Sequence, residues 1–434
     1  MSSLQQNIKY HFILFFISPV LGLIYGLKSK SLAYLRWSIF GFVVIYGSLF
    51  NSSFLGDGAV HWDNVYNHYQ YLDFSVFWSE LLDIMSFDHS REVNDDPFIH
   101  ILSYFVGTIL NAPGLFFVFV GAVYGYFYSG VMVKIIGYIN WKSNYNKFYF
   151  IFFLTMLILW IFPLKMQTVR SWTGMWVLLY AILSFHETRK KKYLLLALMP
   201  PLIHIGFLAL AVPIWIVLFS SFRNPKFYFI VFILSIFFSN ALQQTGFSSI
   251  ASQTQVGASK IEGYTLDEAR IDRNTTKMEA KESSTRFYKR FESLNLQTNV
   301  LSGIILFIFI FLRKRGFGKI ENLLFSYGLA MAAFSNFFTS IYAVHNRGWE
   351  IVAILILSLL VIFLSKNNLN SIRYSFFKVK LPLFIFTIGL IPFSLYLLSS
   401  VLTYTSPFAF FLPVISWIDS EIATNLRAFI GLIL

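Results

Sequence analysis

Four ionisable residues stand beside long apolar segments, where a charge near a bilayer is costly and usually has a functional reason. Arg170 opens one apolar segment, His204 interrupts a second, and His345 and Arg347 precede a third. A guanidinium stays charged and binds phosphate oxygens bidentately, whereas an imidazole can exchange a proton near neutral pH. The two arginines therefore favour a clamp for a phosphate-bearing lipid.

Each of these residues also has a simpler explanation. Arg170 could reach lipid phosphates along the bilayer surface, or it could pair with a carboxylate of a neighbouring loop. A single histidine in an apolar run, such as His204, is more often a hydrogen-bonded packing residue than a catalyst. Arg347 could form an ion pair with Glu350, three residues further along a helix.

Acidic and aromatic residues are interleaved in a run that contains Asp57, Asp63 and Tyr66. Carboxylates suit sugar hydroxyls and aromatic rings suit the apolar faces of sugars, and a carboxylate can also act as a general base. A solvated loop whose acidic residues keep it out of the membrane is the alternative. The spacing matches no signature of a divalent-cation site, so no metal is predicted.

The composition of the chain defines the elements that must position these residues. Of 434 residues, 56% are hydrophobic and only 13% are charged, and the mean hydropathy is +0.63. Long apolar runs broken by short basic loops predict an all-α polytopic membrane protein, which excludes a soluble enzyme, a nucleic-acid-binding protein and a porin. The chain has no cysteine, which excludes disulfides, thiolate catalysis and iron–sulfur clusters.

The net charge of +13 is carried largely by six short basic loops, and the positive-inside rule places such loops in the cytoplasm. About twelve transmembrane helices satisfy this rule and put both termini outside. They are predicted near 12–27, 34–50, 114–133, 148–163, 168–186, 193–203, 205–220, 227–243, 299–312, 321–340, 349–365 and 381–402. The segment 97–111 is shorter than the roughly 20 residues of a crossing, so it is predicted to be a re-entrant or surface helix, with a crossing as the alternative. The run 193–220 is predicted to break at Pro200-Pro201 because proline lacks a backbone donor.

Five regions follow from this pattern of apolar and polar segments. They are the first two transmembrane helices (1–50), an acidic extracytoplasmic loop (51–97), a central transmembrane bundle (98–243), a large extracytoplasmic loop (244–298) and a C-terminal transmembrane bundle (299–434). The predicted topology puts Arg170, His204 and Arg347 at the outer face.

Five short motifs, taken in order, resemble a known family. They are Asp63-Asn-Val-Tyr66, Asp96-Pro97-Phe98, Met166-Gln-Thr-Val-Arg170-Ser-Trp-Thr-Gly, Ile203-His204-Ile-Gly and Asn346-Arg347. Their order and spacing over roughly residues 50–365 are similar to the EpsG-like branch of the Wzy polysaccharide repeat-unit polymerases. Two departures from the family pattern are Ser-Trp-Thr-Gly after Arg170, where members often have Gln-Gly-hydrophobic-Ala, and Trp349-Glu350 after Arg347.

The resemblance implies a GT-C-like glycosyltransferase of the bacterial cytoplasmic (inner) membrane, with its active site facing the periplasm or the outside. It implies polymerisation of undecaprenyl-pyrophosphate-linked oligosaccharides into O-antigen, capsule or exopolysaccharide, without a cofactor. The residues that it assigns to binding of pyrophosphate or sugar are Arg170, Arg347, Asp57, Tyr66 and His345. The general base would be His204 or Asp63. The lipid bilayer, a chain-length regulator and a flippase of the same pathway are candidate partners, and no nucleic acid is expected.

Two other functions stay open at this point. An O-antigen ligase or another GT-C-type lipid-linked sugar transferase would share the outer arginines and histidine, and only the order of the motifs favours the polymerase. A lipid-linked oligosaccharide flippase should carry ionisable residues at mid-membrane depth and often repeated halves. The chain instead has Phe, Leu and Ile in its helix interiors and no internal repeat.

Overall fold

The computed structural model describes residues 13–29, 31–50, 57–86, 96–142, 146–220, 224–244, 294–313, 317–339, 341–369, 376–418 and 425–433. All regular secondary structure in these residues is helical, which confirms the prediction of an all-α chain. The helical segments that are long and apolar enough to cross a membrane are Pro113–Gly137, Lys147–Thr188, Ala343–Lys366 and Phe377–Tyr404. Shorter apolar helices of 10–17 residues supplement these four, so the described chain has the helices of a membrane protein.

The α-helices are numbered in chain order. They are α1 (Pro19–Lys28), α2 (Leu32–Ser48), α3 (Asp57–Asn64), α4 (Phe74–Ser86), α5 (Pro97–Tyr104), α6 (Phe116–Gly137), α7 (Lys147–Trp160), α8 (Val169–Thr188), α9 (Lys192–Ala197), α10 (Pro200–Ile203), α11 (Phe207–Leu210), α12 (Val212–Phe219), α13 (Pro225–Gln244), α14 (Leu294–Phe307), α15 (Lys319–Phe337), α16 (Tyr342–Lys366), α17 (Leu381–Tyr404), α18 (Pro413–Ile418) and α19 (Leu426–Ile433). Single π-helical turns extend α3 (Val65–Tyr69), α5 (Phe105–Ile109) and α14 (Ile308–Leu312). Each predicted transmembrane helix coincides with helical residues over most of its length.

The chain divides into two compact units. The first comprises Met1–Gly137, Phe162–Phe207 and Ser400–Leu434. In it, α2 packs on α6 at a close crossing that glycine permits, as is common between membrane helices. A Cβ at Gly47 would overlap the carbonyl of Phe117. Within the same unit α8 packs on α6, and α5 contacts α4, α8 and α10, so α5 is the element around which the candidate site is built.

The second unit comprises Tyr138–Ile161 and Leu208–Ser399. Its central helix is α16, which packs on α15 and α7 and is almost wholly buried. Gly348 faces Ser335 so closely that a Cβ there would overlap the serine Oγ. At the other end of α16, Lys366 Nζ lies 2.7 Å from Oε1 of the buried Glu321, which compensates the buried carboxylate.

The sequence predicts a loop at the acidic segment 51–97, but the described residues of this segment contain helices. Residues 57–86 form α3, its π-helical turn and α4. The reason is an apolar face: Val65 and Tyr69, four positions apart, are buried, and Phe77 of α4 packs against Tyr69. The segment therefore packs into the first unit through this apolar face, while acidic residues such as Asp63 stay exposed.

Two further boundaries differ from the prediction. The run 193–220 forms four short helices, α9 to α12, because the Pro200-Pro201 pair, the extended backbone of His204 and a third proline near the start of α12 interrupt it. Helix α16 begins at Tyr342, so His345 and Arg347 lie in its first two turns, not in a turn before it. Residues 245–293 of the predicted large loop lie outside the described residues.

Candidate functional site

Asp96 stands at the start of α5, but its side chain does not cap this helix. Its backbone is extended (φ −122°, ψ 126°) and Pro97 begins the helix, as at an ordinary N-cap. An N-cap aspartate normally accepts a hydrogen bond from the first turn of its own helix, but the Asp96 carboxylate makes none. The side chain is directed to other elements, and α5 begins without this capping bond.

The carboxylate of Asp96 joins α5 to two other elements of the first unit. Oδ2 accepts a hydrogen bond of 2.7 Å from Nη1 of Arg170 and one of 3.1 Å from Nδ1 of His204. Oδ1 accepts a bond of 2.6 Å from the backbone N–H of Ile205. Asp96 is fully buried, so these three donors replace the water that a carboxylate requires.

The surroundings of Asp96 favour its ionised form. Burial alone would raise the pKa of the carboxyl, but the hydrogen bond and charge of His204, the charge of Arg170 and the N–H of Ile205 outweigh burial and lower the pKa from 3.8 to about 2. Asp96 is therefore a permanent anion at neutral pH, and it holds the two side chains that contact it.

Arg170 is the second residue of α8, directly after the 3₁₀ turn Pro163–Thr168. A cation at a helix N-terminus is opposed by the helix dipole, and Asp96 compensates for it. The pairing with a carboxylate, one of the simpler explanations of Arg170, is thus present. The side chain of Arg170 is 27% exposed, and among the described residues only its Nη1 forms an ion pair, so a phosphate could contact the remaining N–H groups.

His204 ends α10 in an extended conformation (φ −152°, ψ 118°) and is 5% exposed. Because a carboxylate can only accept a hydrogen bond, Nδ1 of His204 carries a proton and donates it to Asp96. The Nε2 edge lies over Gly206, where a Cβ would come within 3.0 Å of Nε2. A carboxylate that orients an imidazole in this way is a common arrangement for acid–base chemistry.

The predicted residues of the acidic and aromatic run lie on α3 and its π-helical turn. Asp63 is exposed, and its Oδ1 accepts a hydrogen bond of 2.7 Å from Asn67 Nδ2. Tyr66 is exposed and packs its ring against Trp62, with centroids 5.5 Å apart. The side chain of Asp57 lies outside the described part of the chain. The structure therefore places Asp63 and Tyr66 on one short helix but shows no contact between them and Arg170.

The predicted residues of the late motif belong to the second unit. His345 donates from Nδ1 to the backbone carbonyl of Ser335 at 2.7 Å, which ties the start of α16 to the end of α15. Arg347 is half-buried. Because Arg170 belongs to the first unit and Arg347 to the second, the two-arginine clamp stays a prediction.

Asp96 is the site residue that sequence reasoning missed, since the motif Asp96-Pro97-Phe98 contributed to the resemblance but received no role. The available signal was an acidic residue directly before a proline that opens an apolar helix. Comparison with known proteins finds no matching family model, no matching curated protein and no matching solved structure.

Proposed function

We propose that this protein is a membrane glycosyltransferase that polymerises oligosaccharide repeat units carried on undecaprenyl pyrophosphate. The observation that carries the proposal is the shared carboxylate of Asp96, which binds both Arg170 and His204. These three residues belong to three separate motifs of the resemblance to the Wzy polymerases, and their side chains meet at one point. The meeting of an anion-binding group and a proton-transfer group is what transfer from a lipid pyrophosphate requires.

The chemistry is the displacement of a pyrophosphate by a sugar hydroxyl. The hydroxyl oxygen of the acceptor attacks the anomeric carbon of the donor, the bond from that carbon to the pyrophosphate breaks, and its electron pair leaves with the pyrophosphate. Negative charge builds on the leaving oxygen, where a fixed guanidinium stabilises it. Asp96 holds Arg170 in position before the substrate binds, so little reorganisation is needed during the reaction.

The hydroxyl proton of the acceptor must pass to a base. His204 is one candidate that the resemblance names, and the hydrogen bond from its Nδ1 to Asp96 fixes the orientation of its ring. Asp63 stays the second candidate, although its carboxylate is exposed and bonded to Asn67. Arg347 would add a second cation to the pyrophosphate, and Asp57, Tyr66 and His345 would contact the substrate.

The proposal includes the membrane arrangement expected from the sequence. About twelve crossings, a GT-C-like arrangement and a site at the outer face of the bacterial cytoplasmic membrane fit the positive-inside pattern. A lipid-linked substrate would then reach Arg170 sideways from the bilayer, with its pyrophosphate at the level of the helix ends.

The test is the length distribution of the surface polysaccharide in a deletion strain that carries the wild-type gene or a variant. The variants are Arg170→Gln, His204→Gln and Arg347→Gln, and the matched control is Arg189→Gln, which removes an arginine just beyond the opposite end of α8. We expect wild type and control to make long chains, and Arg170→Gln to leave single repeat units, at equal protein levels in the membrane.

Other outcomes would overturn the proposal. Long polymer that stays unattached in the deletion strain would identify a ligase. Absence of any repeat unit at the outer face would identify a flippase. Long chains in the deletion strain, attached as in wild type, would show that the protein has no part in polymerisation.

A further inference from the structure

A second carboxylate in the first unit is buried against histidines, and no role has yet been assigned to it. Glu80 of α4 is 5% exposed. Its Oε2 lies 3.1 Å from Nε2 of His68, in the π-helical turn that follows α3, and 3.9 Å from Nδ1 of His100 in α5. Among the described residues no group of three or more acidic and histidine side chains could hold a metal ion.

The hydrogen bond to Glu80 sets the protonation of His68. Because the Glu80 carboxylate accepts, Nε2 of His68 carries the proton, and Nδ1 of the neutral ring holds a lone pair. The side chain is 32% exposed, and its ring is held edge-on to Tyr69, with centroids 4.8 Å apart. Within the described ranges no hydrogen-bond partner meets Nδ1. Nδ1 of His68 therefore belongs to a partly exposed ring that a buried carboxylate orients.

His100 does not compete with His68 for the charge of Glu80. Its Nε2 donates to the backbone carbonyl of Phe77 at 3.1 Å, so its Nδ1 accepts the hydroxyl of Tyr69 at 2.7 Å. Both ring nitrogens are thus satisfied in the neutral state, and burial lowers the pKa of His100. Within the described ranges, Tyr69 and His100 are titratable side chains that contact this pair.

Helix α5 links two hydrogen-bond networks, one around the carboxylate of Asp96 and one around the carboxylate of Glu80. Asp96 stands at its start and His100 one turn later, where the N–H of His100 bonds to the carbonyl of Asp96 at 3.2 Å. One turn separates the two residues by about 6 Å along the axis. The Asp96 network contains an arginine and suits the leaving group, whereas the Glu80 network contains a partly exposed imidazole and suits a hydroxyl that loses a proton.

We propose that the His68–Glu80 pair is the general base that deprotonates the sugar hydroxyl of the acceptor. This inference rests on the proposed function and assigns to His68 the role that the resemblance gave to His204 or Asp63. The lone pair of His68 Nδ1 takes the hydroxyl proton as the oxygen bonds to the anomeric carbon, and the electron pair of the broken bond leaves with the pyrophosphate. The carboxylate of Glu80 stabilises the imidazolium, which returns its proton to water after the glycoside has formed.

The first test measures polymer formation against pH. Full-length protein is reconstituted into membrane vesicles of the deletion strain, which carry that strain's own lipid-linked repeat units, and the initial rate is followed from about pH 5 to about pH 8. In wild type the rate should fall at low pH, because a general base acts only in its unprotonated form. His68→Gln should lower the rate by roughly 10²- to 10⁴-fold and abolish this fall, and the matched control His186→Gln should do neither.

The outcomes separate this inference from the proposed function. If His68→Gln keeps the wild-type rate and pH dependence, or if only His204→Gln removes the fall at low pH, His68 is not the base, although the polymerase stands. If the wild-type protein forms no polymer in the vesicles, the proposed function fails. Thermal unfolding of each purified variant in detergent separates a folding defect from a lost base.

The second test needs no activity. Diethylpyrocarbonate modifies neutral, accessible imidazoles, and mass spectrometry of the purified full-length chain reports the rate at each histidine. We expect rapid modification of His68 in wild type, and we expect Glu80→Gln to move its pH dependence to lower pH because the anion that stabilises the imidazolium is gone. An unchanged pH dependence in Glu80→Gln would show that the two residues do not act as a pair.

Discussion

Asp96 and His204 lie 108 positions apart in the sequence, yet Nδ1 of the histidine donates to the carboxylate at 3.1 Å. The same carboxylate oxygen accepts a hydrogen bond from Arg170, 74 positions away. One buried anion therefore fixes two side chains on two other elements, and the following predictions ask what each contact contributes.

Arg170→Lys separates the charge of Arg170 from its shape. Lysine can still pair with Asp96 as a point charge, but it cannot present a planar fork to a phosphate. We expect thermal unfolding close to that of wild type and a polymerisation rate at least about 10-fold lower. If Arg170 served only to neutralise Asp96, Arg170→Lys would keep full activity in the vesicle assay. That result would rule out phosphate binding by Arg170.

The low pKa of Asp96 predicts how stability depends on pH. The folded pKa of about 2 lies below the ordinary value of 3.8, so the stabilisation is complete above about pH 5 and is lost as pH falls through about 2. The shift corresponds to about 2 kcal/mol. The thermal midpoints of wild type and Asp96→Asn should differ by a constant amount above about pH 5 and converge as pH falls from about 5 to about 1. A difference that stays constant down to about pH 1 would contradict the ion pair.

Gly206→Ala should disturb His204 without unfolding the protein. The added Cβ would come within 3.0 Å of Nε2, so the imidazole must rotate or shift away from Asp96. We expect activity to fall by about 10-fold with a small change in thermal stability. The matched control is Gly389→Ala, whose Cβ would meet Val300 at an ordinary 3.7 Å. Equal activity of the two variants would mean that the position of Nε2 is unimportant.

Gly348→Ala tests the helix crossing of the second unit. A Cβ there would overlap Ser335 Oγ, so either the serine hydroxyl must give up its bond to the Met331 carbonyl or α15 and α16 must separate, at a cost of about 1–3 kcal/mol. We expect a lower thermal midpoint and partial recovery in the double variant with Ser335→Gly, which removes the overlapping atom. If the double variant is no more stable than Gly348→Ala, the crossing is looser than the structure has it.

Local sequence rules predicted the all-helical class and singled out Arg170 and His204, two of the residues that contact Asp96. Arg170 was identified because an arginine at a helix start opposes the dipole, and His204 because it follows a proline pair that breaks a helix. The partnership of Asp96 could not be predicted, since it depends on a long-range contact that no local pattern encodes. The helices of the acidic segment were not predicted, because its many acidic residues indicated a solvated loop and its aromatic residues gave no sign that they would be buried.

The single turn of α5 between Asp96 and His100 also sets a rotational phase. Each residue of an α-helix advances about 100° around the axis, so the insertion or deletion of one residue between them would swing His100 away from Tyr69 and Phe77 while Asp96 kept its place at the helix start. The length of this turn, and not only its composition, is therefore under constraint. A one-residue change in length here would uncouple the two carboxylate networks even if every side chain in both were retained.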